Sequence, residues 1–325
     1  MEACNNLSAC MSAFDDIEPY SGSPPAGYLA DWLGILTDAK FRTMFGVDAE
    51  KVGGHGVTTR RPVIEDGEGW FENLSAVAAA RAASGQYVMM TLGACYGAQA
   101  VGAYTALRKL NPMPATLVAV DPEPDNIQWV AKHFRDNGIA PEDHWLLASA
   151  ISDSNDPVLF PVGSPGTGAQ NCYSTNEPNA RKYYLQELLK NPGAEEALRR
   201  ILTNNTTGMQ KDLVEGMGFN AEIKFVSSVT IKDLLGPFRR VDYIEVDMQQ
   251  SEIIAIPPAI DVLTAKAKRM HIGTHGKDVH SALATLFRDA GWTTIFDYEP
   301  NELFETPFGR FSTNDGVLAV VNPRV

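Results

Sequence analysis

The segment Thr91-Leu-Gly-Ala-Cys-Tyr-Gly97 follows an apolar run and leads into small residues suited to a helix, so it reads as strand, tight turn and helix start. Glycines there let a ligand approach bare backbone, and the helix behind them offers unpaired N–H groups and a partial positive charge. Asp121, 28 residues after Gly93, ends a second apolar run, Ala115-Thr-Leu-Val-Ala-Val-Asp121. An acid so placed can hold the ribose hydroxyls of an adenosine-containing cofactor. The turn lacks the third glycine of Gly-x-Gly-x-x-Gly, which makes a pyrophosphate clamp less natural than a cradle for a smaller cofactor. Taken alone, the glycine pair also fits close helix packing.

Asp247 ends another apolar run, Val241-Asp-Tyr-Ile-Glu-Val-Asp247. It could take a proton from a substrate hydroxyl or orient a cofactor, and its plainer role is to cap the next helix. His271 and His275 lie four residues apart, a spacing that puts both on one face of an extended strand. A neutral imidazole, with an ordinary pKa of about 6.5, suits general base work, and His275 is the stronger candidate because it lies nearer the strand end. Together with Asp247 the pair could ligate a divalent metal, a reading the pattern does not favour. Cys95, at a helix N-terminus, is expected to lean toward the thiolate. Asn171-Cys172-Tyr173 and the Tyr183-Tyr184 pair could line a substrate cleft, although tyrosines on a helix more often pack.

The elements that must position these residues alternate. A strand to Gly93, a helix through Leu110, a strand to Asp121, a helix from Asn126 to Asn137 and a strand from Trp145 to Ile151 make two successive βαβ units, hence a parallel sheet wrapped by helices. The pattern resumes with Ile223–Val229, a short helix to Leu235, the Asp247 strand, a helix broken by Pro257-Pro258, the His275 strand, a helix from Val279 to Ala290, and strands at Trp292–Phe296 and Gly316–Val321. Residues 161–215 carry a breaker-rich loop, a helical pattern over 180–202 and a polar turn at 203–208, expected as an insertion or substrate lid. Residues 1–27 read as a loosely held arm, and Tyr28–Thr37 and Trp70–Arg81 as helices of an N-terminal helical extension over 1–80 that precedes the main domain, 81–325.

With 325 residues and 44% apolar content, the chain has ample material for a packed α/β core. It carries 27 Lys and Arg against 40 Asp and Glu, a formal charge of −13, which repels nucleic acid and anionic membranes. Neither is an expected partner. Cys4, Cys10, Cys95 and Cys172 show no metal-finger spacing, no export signal stands out, and no apolar run approaches a bilayer span, so a cytoplasmic location with free thiols is expected. Oligomeric state leaves no mark in the pattern.

On these motifs the chain resembles the S-adenosylmethionine-dependent methyltransferases, and within them the FkbM type. Thr91 to Gly97 is similar to the family's acid-apolar-Gly-Ala-x-x-Gly turn, Asp121-Pro122-Glu123-Pro124 to its acid-then-proline stretch, and Asn137-Gly138 to its later Asn-Gly. Asp247-Met-Gln-Gln-Ser-Glu252 resembles its Asp-x-Gln-Gly-x-Glu, and His271 to His275 its His-Ile-Gly-Thr-His. The likeness covers roughly residues 86 to 322. It departs at Thr91, where the family has an acid, and at Gln250, where it has glycine.

The resemblance implies a Rossmann-like three-layer α/β/α fold with a seven-stranded, mostly parallel sheet and an antiparallel final strand. It further implies S-adenosylmethionine as cofactor, S-adenosylhomocysteine as product, and methyl transfer to a hydroxyl of a small molecule such as a sugar, a polyol or a specialised metabolite. The implied cofactor contacts are Thr91, Leu92, Gly93, Ala94, Gly97, Asp121, Pro122, Ala150, Ile151 and Asp247, with Asp247, His275 and His271 as catalytic candidates. A nicotinamide-dependent oxidoreductase and a non-catalytic binding protein that kept the fold are the rival readings.

Overall fold

The computed structural model describes residues 7–163, 165–166, 173–174 and 222–325. Seven strands form the central sheet: β1 (Tyr87–Leu92), β2 (Ala115–Asp121), β3 (Trp145–Ala148), β4 (Tyr243–Val246), β5 (Arg269–Thr274), β6 (Thr293–Tyr298) and β7 (Gly316–Val321). Their order is β3-β2-β1-β4-β5-β7-β6. The pairs from β3 through β5 are parallel, and β7 runs antiparallel to both its neighbours. All six residues of β1 are buried, the mark of a strand covered on both faces.

Helices α1 (Glu68–Ala82), α2 (Ala98–Leu110) and α3 (Pro124–Asp136) pack on the face that carries Tyr87, Met89, Leu117, Ala119 and Tyr243. On the other face, α4 (Ile231–Leu235), α5 (Glu252–Ala255), α6 (Ile260–Lys266) and α7 (Lys277–Asp289) cover Val88, Met90, Leu92, Ile244, Val246 and Ile272. This is the expected Rossmann-like three-layer α/β/α arrangement. Because the parallel strands reverse direction of crossover between β1 and β4, a crevice opens at their carboxyl ends.

Three expectations need correction. Tyr28–Thr37 is no helix: Tyr28–Ala30 pairs with Leu36–Asp38 as a hairpin. Asp31 turns the chain there by accepting from the Leu33 and Ile35 N–H groups at 2.9 and 2.8 Å, a local bond that competes with helix formation. From Leu7 onward the arm is held, since Leu7, Phe14 and Ile17 are buried in the core with α1 and the Phe14 ring meets Trp32 edge-on at 5.0 Å. The third strand stops at Ala148, and Ala150–Ser152 pairs instead with Ser228–Thr230. A hairpin of Glu302–Thr306 and Gly309–Thr313 escaped the sequence reading.

Of the expected insertion, Val158–Val162 pairs with Tyr173–Ser174 and with Glu222–Val226. The 180–202 helical pattern, the 203–208 turn, Asn171, Cys172 and Tyr183-Tyr184 lie outside the described residues. Among the described residues no helix is long and apolar enough to cross a membrane.

Candidate functional site

At the carboxyl ends of β1, β2 and β4 a cavity is lined by Gly93, Cys95, Asp121, Pro122, Ile151 and Asp247, with Val120, Asn126, Phe160, Met248, Gln249 and Ser251 completing its wall. Gly93 makes the close approach: its φ is +92°, and a Cβ there would overlap the Asp247 carbonyl oxygen. No other residue type brings the ends of β1 and β4 so near. Gly97, at φ +81°, caps α2 and packs against Val130.

The N–H groups of this turn are engaged within the protein. Gly93 and Ala94 both donate to the Val120 carbonyl at 3.0 Å, Gly97 to Ala94 at 2.6 Å, and Cys95 to Asp121 Oδ2 at 2.7 Å. A pyrophosphate clamp would need several of these donors free. The backbone expected to hold the cofactor through Gly93 and Ala94 therefore offers shape and carbonyls rather than N–H groups.

Asp121, only 6% exposed, accepts three hydrogen bonds: from Cys95 N–H, from Glu123 N–H at 2.9 Å and from Asn126 Nδ2 at 3.0 Å. Burial raises its pKa to about 6, opposed by those three donors. Each carboxylate oxygen accepts more than one hydrogen bond, so capacity remains for a ligand hydroxyl. Ile151 and Phe160 supply an apolar wall nearby.

Asp247 is held differently. Its Oδ1 accepts from Gln249 Nε2 at 3.0 Å and lies 3.2 Å from His275 Nε2, while 45% of the side chain stays exposed toward the cavity. His275 Nδ1 lies 2.9 Å from Glu252 Oε1, and its Nε2 also lies 3.4 Å from Asp315 Oδ1 and 2.8 Å from Gln249 Nε2. Glu252 Oε1 further accepts from the Met248 N–H at 2.8 Å, which ties α5 to the Asp247 turn. In that turn Gln249 and Gln250 have φ of +50° and +78°. A non-glycine residue in this left-handed region, as at Gln250, carries a strain of about 1–2 kcal/mol.

Burial pulls the His275 pKa down, but the Glu252, Asp315 and Asp247 carboxylates more than reverse this and hold it well above the ordinary imidazole value. One ligand atom each from Asp247, Glu252 and His275 lies within 4.8 Å of the others. Glu252 and Asp247 nevertheless sit against opposite ring nitrogens, which suits hydrogen bonding better than a shared metal face.

Several expected residues fall elsewhere. His271, on β5, is 2% exposed beneath α1 with Nδ1 3.0 Å from Ser75 Oγ, and burial lowers its pKa to about 4. It does not reach the cavity. The two histidines part because β5 ends at Thr274, so His275 lies past the strand and escapes its alternation. Thr91 also points under α1, donating to Glu245 Oε2 at 2.6 Å across the strand pair. Burial raises Glu245 well above the usual carboxylate range. Leu92 faces the opposite core, and Leu92, Ala94, Gly97 and Ala150 shape the turn or the sheet from behind rather than bounding the cavity. Cys95 does bound it, but burial and the Asp121 charge push its thiol up, against the expected thiolate. Asn126, Phe160 and Met248 were not foreseen. Asn126, five residues after Asp121 on the next helix, is the one a local pattern could have shown.

No family model matches the chain. A protein of Jannaschia sp. (strain CCS1) named "Putative methyltransferase" is 23% identical over 232 residues, 70% of this chain and 71% of that protein. Among solved structures, the O-methyltransferase TomG of Streptomyces achromogenes is similar at TM-score 0.36 and 12% identity, covering 87% of this chain and 86% of that one. An O-methyltransferase of Bacillus cereus in complex with S-adenosylhomocysteine gives 0.35 and 10%, over 97% of both chains. Scores and identities this low carry nothing about what this chain binds.

Proposed function

We propose that the cavity binds S-adenosylmethionine and that the protein is a cytoplasmic, FkbM-type O-methyltransferase acting on a hydroxyl of a small molecule. One observation carries this reading: Gly93, Asp121 and Asp247, set apart in sequence, line one cavity at the carboxyl edge of a sheet ordered β3-β2-β1-β4-β5-β7-β6. The fit to this cofactor is supported by the chemistry of the donors. Asp121 keeps acceptor capacity for ribose hydroxyls, Ile151 and Phe160 suit a flat base, and the engaged N–H groups of the turn suit a cofactor without pyrophosphate. Residues 81–325 form the catalytic domain in this reading, with 161–215 as the substrate lid and 1–80 as an extension closing one side.

When bound, the cofactor supplies a methyl group on a sulfonium, a good leaving group. The protein has to align the acceptor oxygen in line with that methyl and receive the hydroxyl proton. Asp247, 45% of whose side chain is exposed and which lines the cavity, would receive the acceptor's hydroxyl proton. His275 cannot serve as the base while both its ring nitrogens face carboxylates, and the role passes to Asp247. Labelled methyl transfer from S-adenosylmethionine across a panel of hydroxylated sugars, polyols and aromatic metabolites tests the activity. Cofactor binding with no transfer to any of them would favour a binding protein instead.

A further inference from the structure

We propose that Glu252 is a positioning residue that, through His275, holds an imidazolium against Asp247 and so fixes one oxygen of that carboxylate while leaving the other free for the acceptor. The proposal rests on the reading of Asp247 as the proton acceptor. It grows from a buried arrangement that the reaction itself does not use: Glu252 is fully buried, with Oε1 on His275 Nδ1, and His275 is 2% exposed. Every ring nitrogen therefore has a carboxylate neighbour, Glu252 from α5 on one side, Asp247 from the end of β4 and Asp315 from the approach to β7 on the other.

The charge state follows from the Nε2 side. A bare Nε2 would accept a hydrogen from the Gln249 amide at 2.8 Å, but its lone pair would then face two carboxylate oxygens at 3.2 and 3.4 Å with no proton between them. A proton on Nε2 is donated to Asp247 Oδ1 at 3.2 Å with Asp315 Oδ1 close by at 3.4 Å, and it turns the Gln249 amide so that this donation replaces the one from Gln249 to Asp247. Buried charges persist only when paired, and here one cation serves several anions. Glu68 and Glu72, one turn apart on α1, extend the same negative field: Glu68 accepts from the Asp315 N–H at 2.9 Å, and the charges of Asp247 and Asp315 act on Glu72. Both glutamates are raised to about 7, by burial first and by neighbouring carboxylates after it.

Removing the Glu252 charge takes away the partner that keeps the proton on His275. Nitrogen-15 NMR of histidine-labelled full-length protein reads this directly, with the His275 signal assigned by its loss in His275→Gln. Both ring nitrogens should still carry protons in the unmodified chain at a pH where an ordinary imidazole has lost one. In Glu252→Gln the ring should titrate at least tenfold more readily, and Glu252→Asp should restore part of the shift. Should Glu252→Gln fail to fold, Asp315→Asn provides a second readout, with a smaller shift in the same direction. A neutral ring with a bare Nε2 at pH 7 in the unmodified protein would overturn the proposal, as would a titration indifferent to both changes. S-adenosylhomocysteine binding is measured separately: its absence removes the cofactor reading and leaves the titration result standing.

Discussion

Asp121 and Asp247 both end parallel strands at the same edge of the sheet, yet the protein treats them in opposite ways. Asp121 is enclosed by donors from its own neighbourhood, two backbone N–H groups and the Asn126 amide, all within one turn and the start of two helices. Asp247 is held by Gln249, two residues on, and by His275, just past β5 and itself flanked by Glu252 and Asp315, and it leaves nearly half its side chain open. Neutral, preorganised donors make a fixed acceptor suited to binding, whereas an exposed carboxylate oxygen backed by a charged partner is suited to moving a proton. Position at a strand end thus sets where an acid sits, and the groups behind it set what it can do.

The largest effect is expected from Asp247→Asn. Loss of the proton acceptor should lower methyl transfer by about 100- to 10,000-fold, and turnover within a few-fold of the unmodified enzyme would place the base elsewhere. Next is Gly93→Ala, which forces a side chain into the Asp247 carbonyl at a left-handed backbone. It should cost about 3 kcal/mol of stability by denaturant unfolding, from overpacking and backbone strain together; an unchanged midpoint would mean the two strand ends are not in contact. Asp121→Ala should weaken S-adenosylhomocysteine by about 1–3 kcal/mol, the value of charge-assisted hydrogen bonds, and an unaltered dissociation constant would refute the ribose contact.

Smaller effects separate the two histidines by pH. His271, lowered to about 4 by burial, resists protonation in the fold while an unfolded chain takes up the proton near 6.5. Its contribution therefore falls as pH drops from about 6.5 toward 4. His275 is raised, so its contribution is full below the ordinary imidazole value and is lost as pH climbs through the elevated one. Thermal melts of His271→Asn and His275→Asn should lose these limbs on opposite sides of neutrality. Ser75→Ala, which removes the partner of a buried ring nitrogen, should cost about 1 kcal/mol.

What could be read from the sequence followed the range of the forces involved. The Gly93 turn, β2 ending in Asp121 and the alternation of strands and helices are local patterns, and they stand as expected. The Tyr28–Thr37 segment has helical spacing, yet one side chain, Asp31, diverts it into a hairpin through bonds that no periodicity reveals. His271 and His275 share a face only if the strand reaches both, and it stops between them. The pairing of Thr91 with Glu245 depends on the register of strands separated by more than 150 residues. Such contacts belong to the fold as a whole, and the motif spacing carries no trace of them.

In the proposed reading the crevice at Gly93, Asp121 and Asp247 holds an adenosine cofactor without pyrophosphate. Isothermal titration of the full chain with S-adenosylhomocysteine and, in parallel, with NADH tests it most directly. Saturable one-site binding of S-adenosylhomocysteine, weakened by Asp121→Ala, and no measurable heat from NADH are the expected results. Binding of NADH with none of S-adenosylhomocysteine would contradict it.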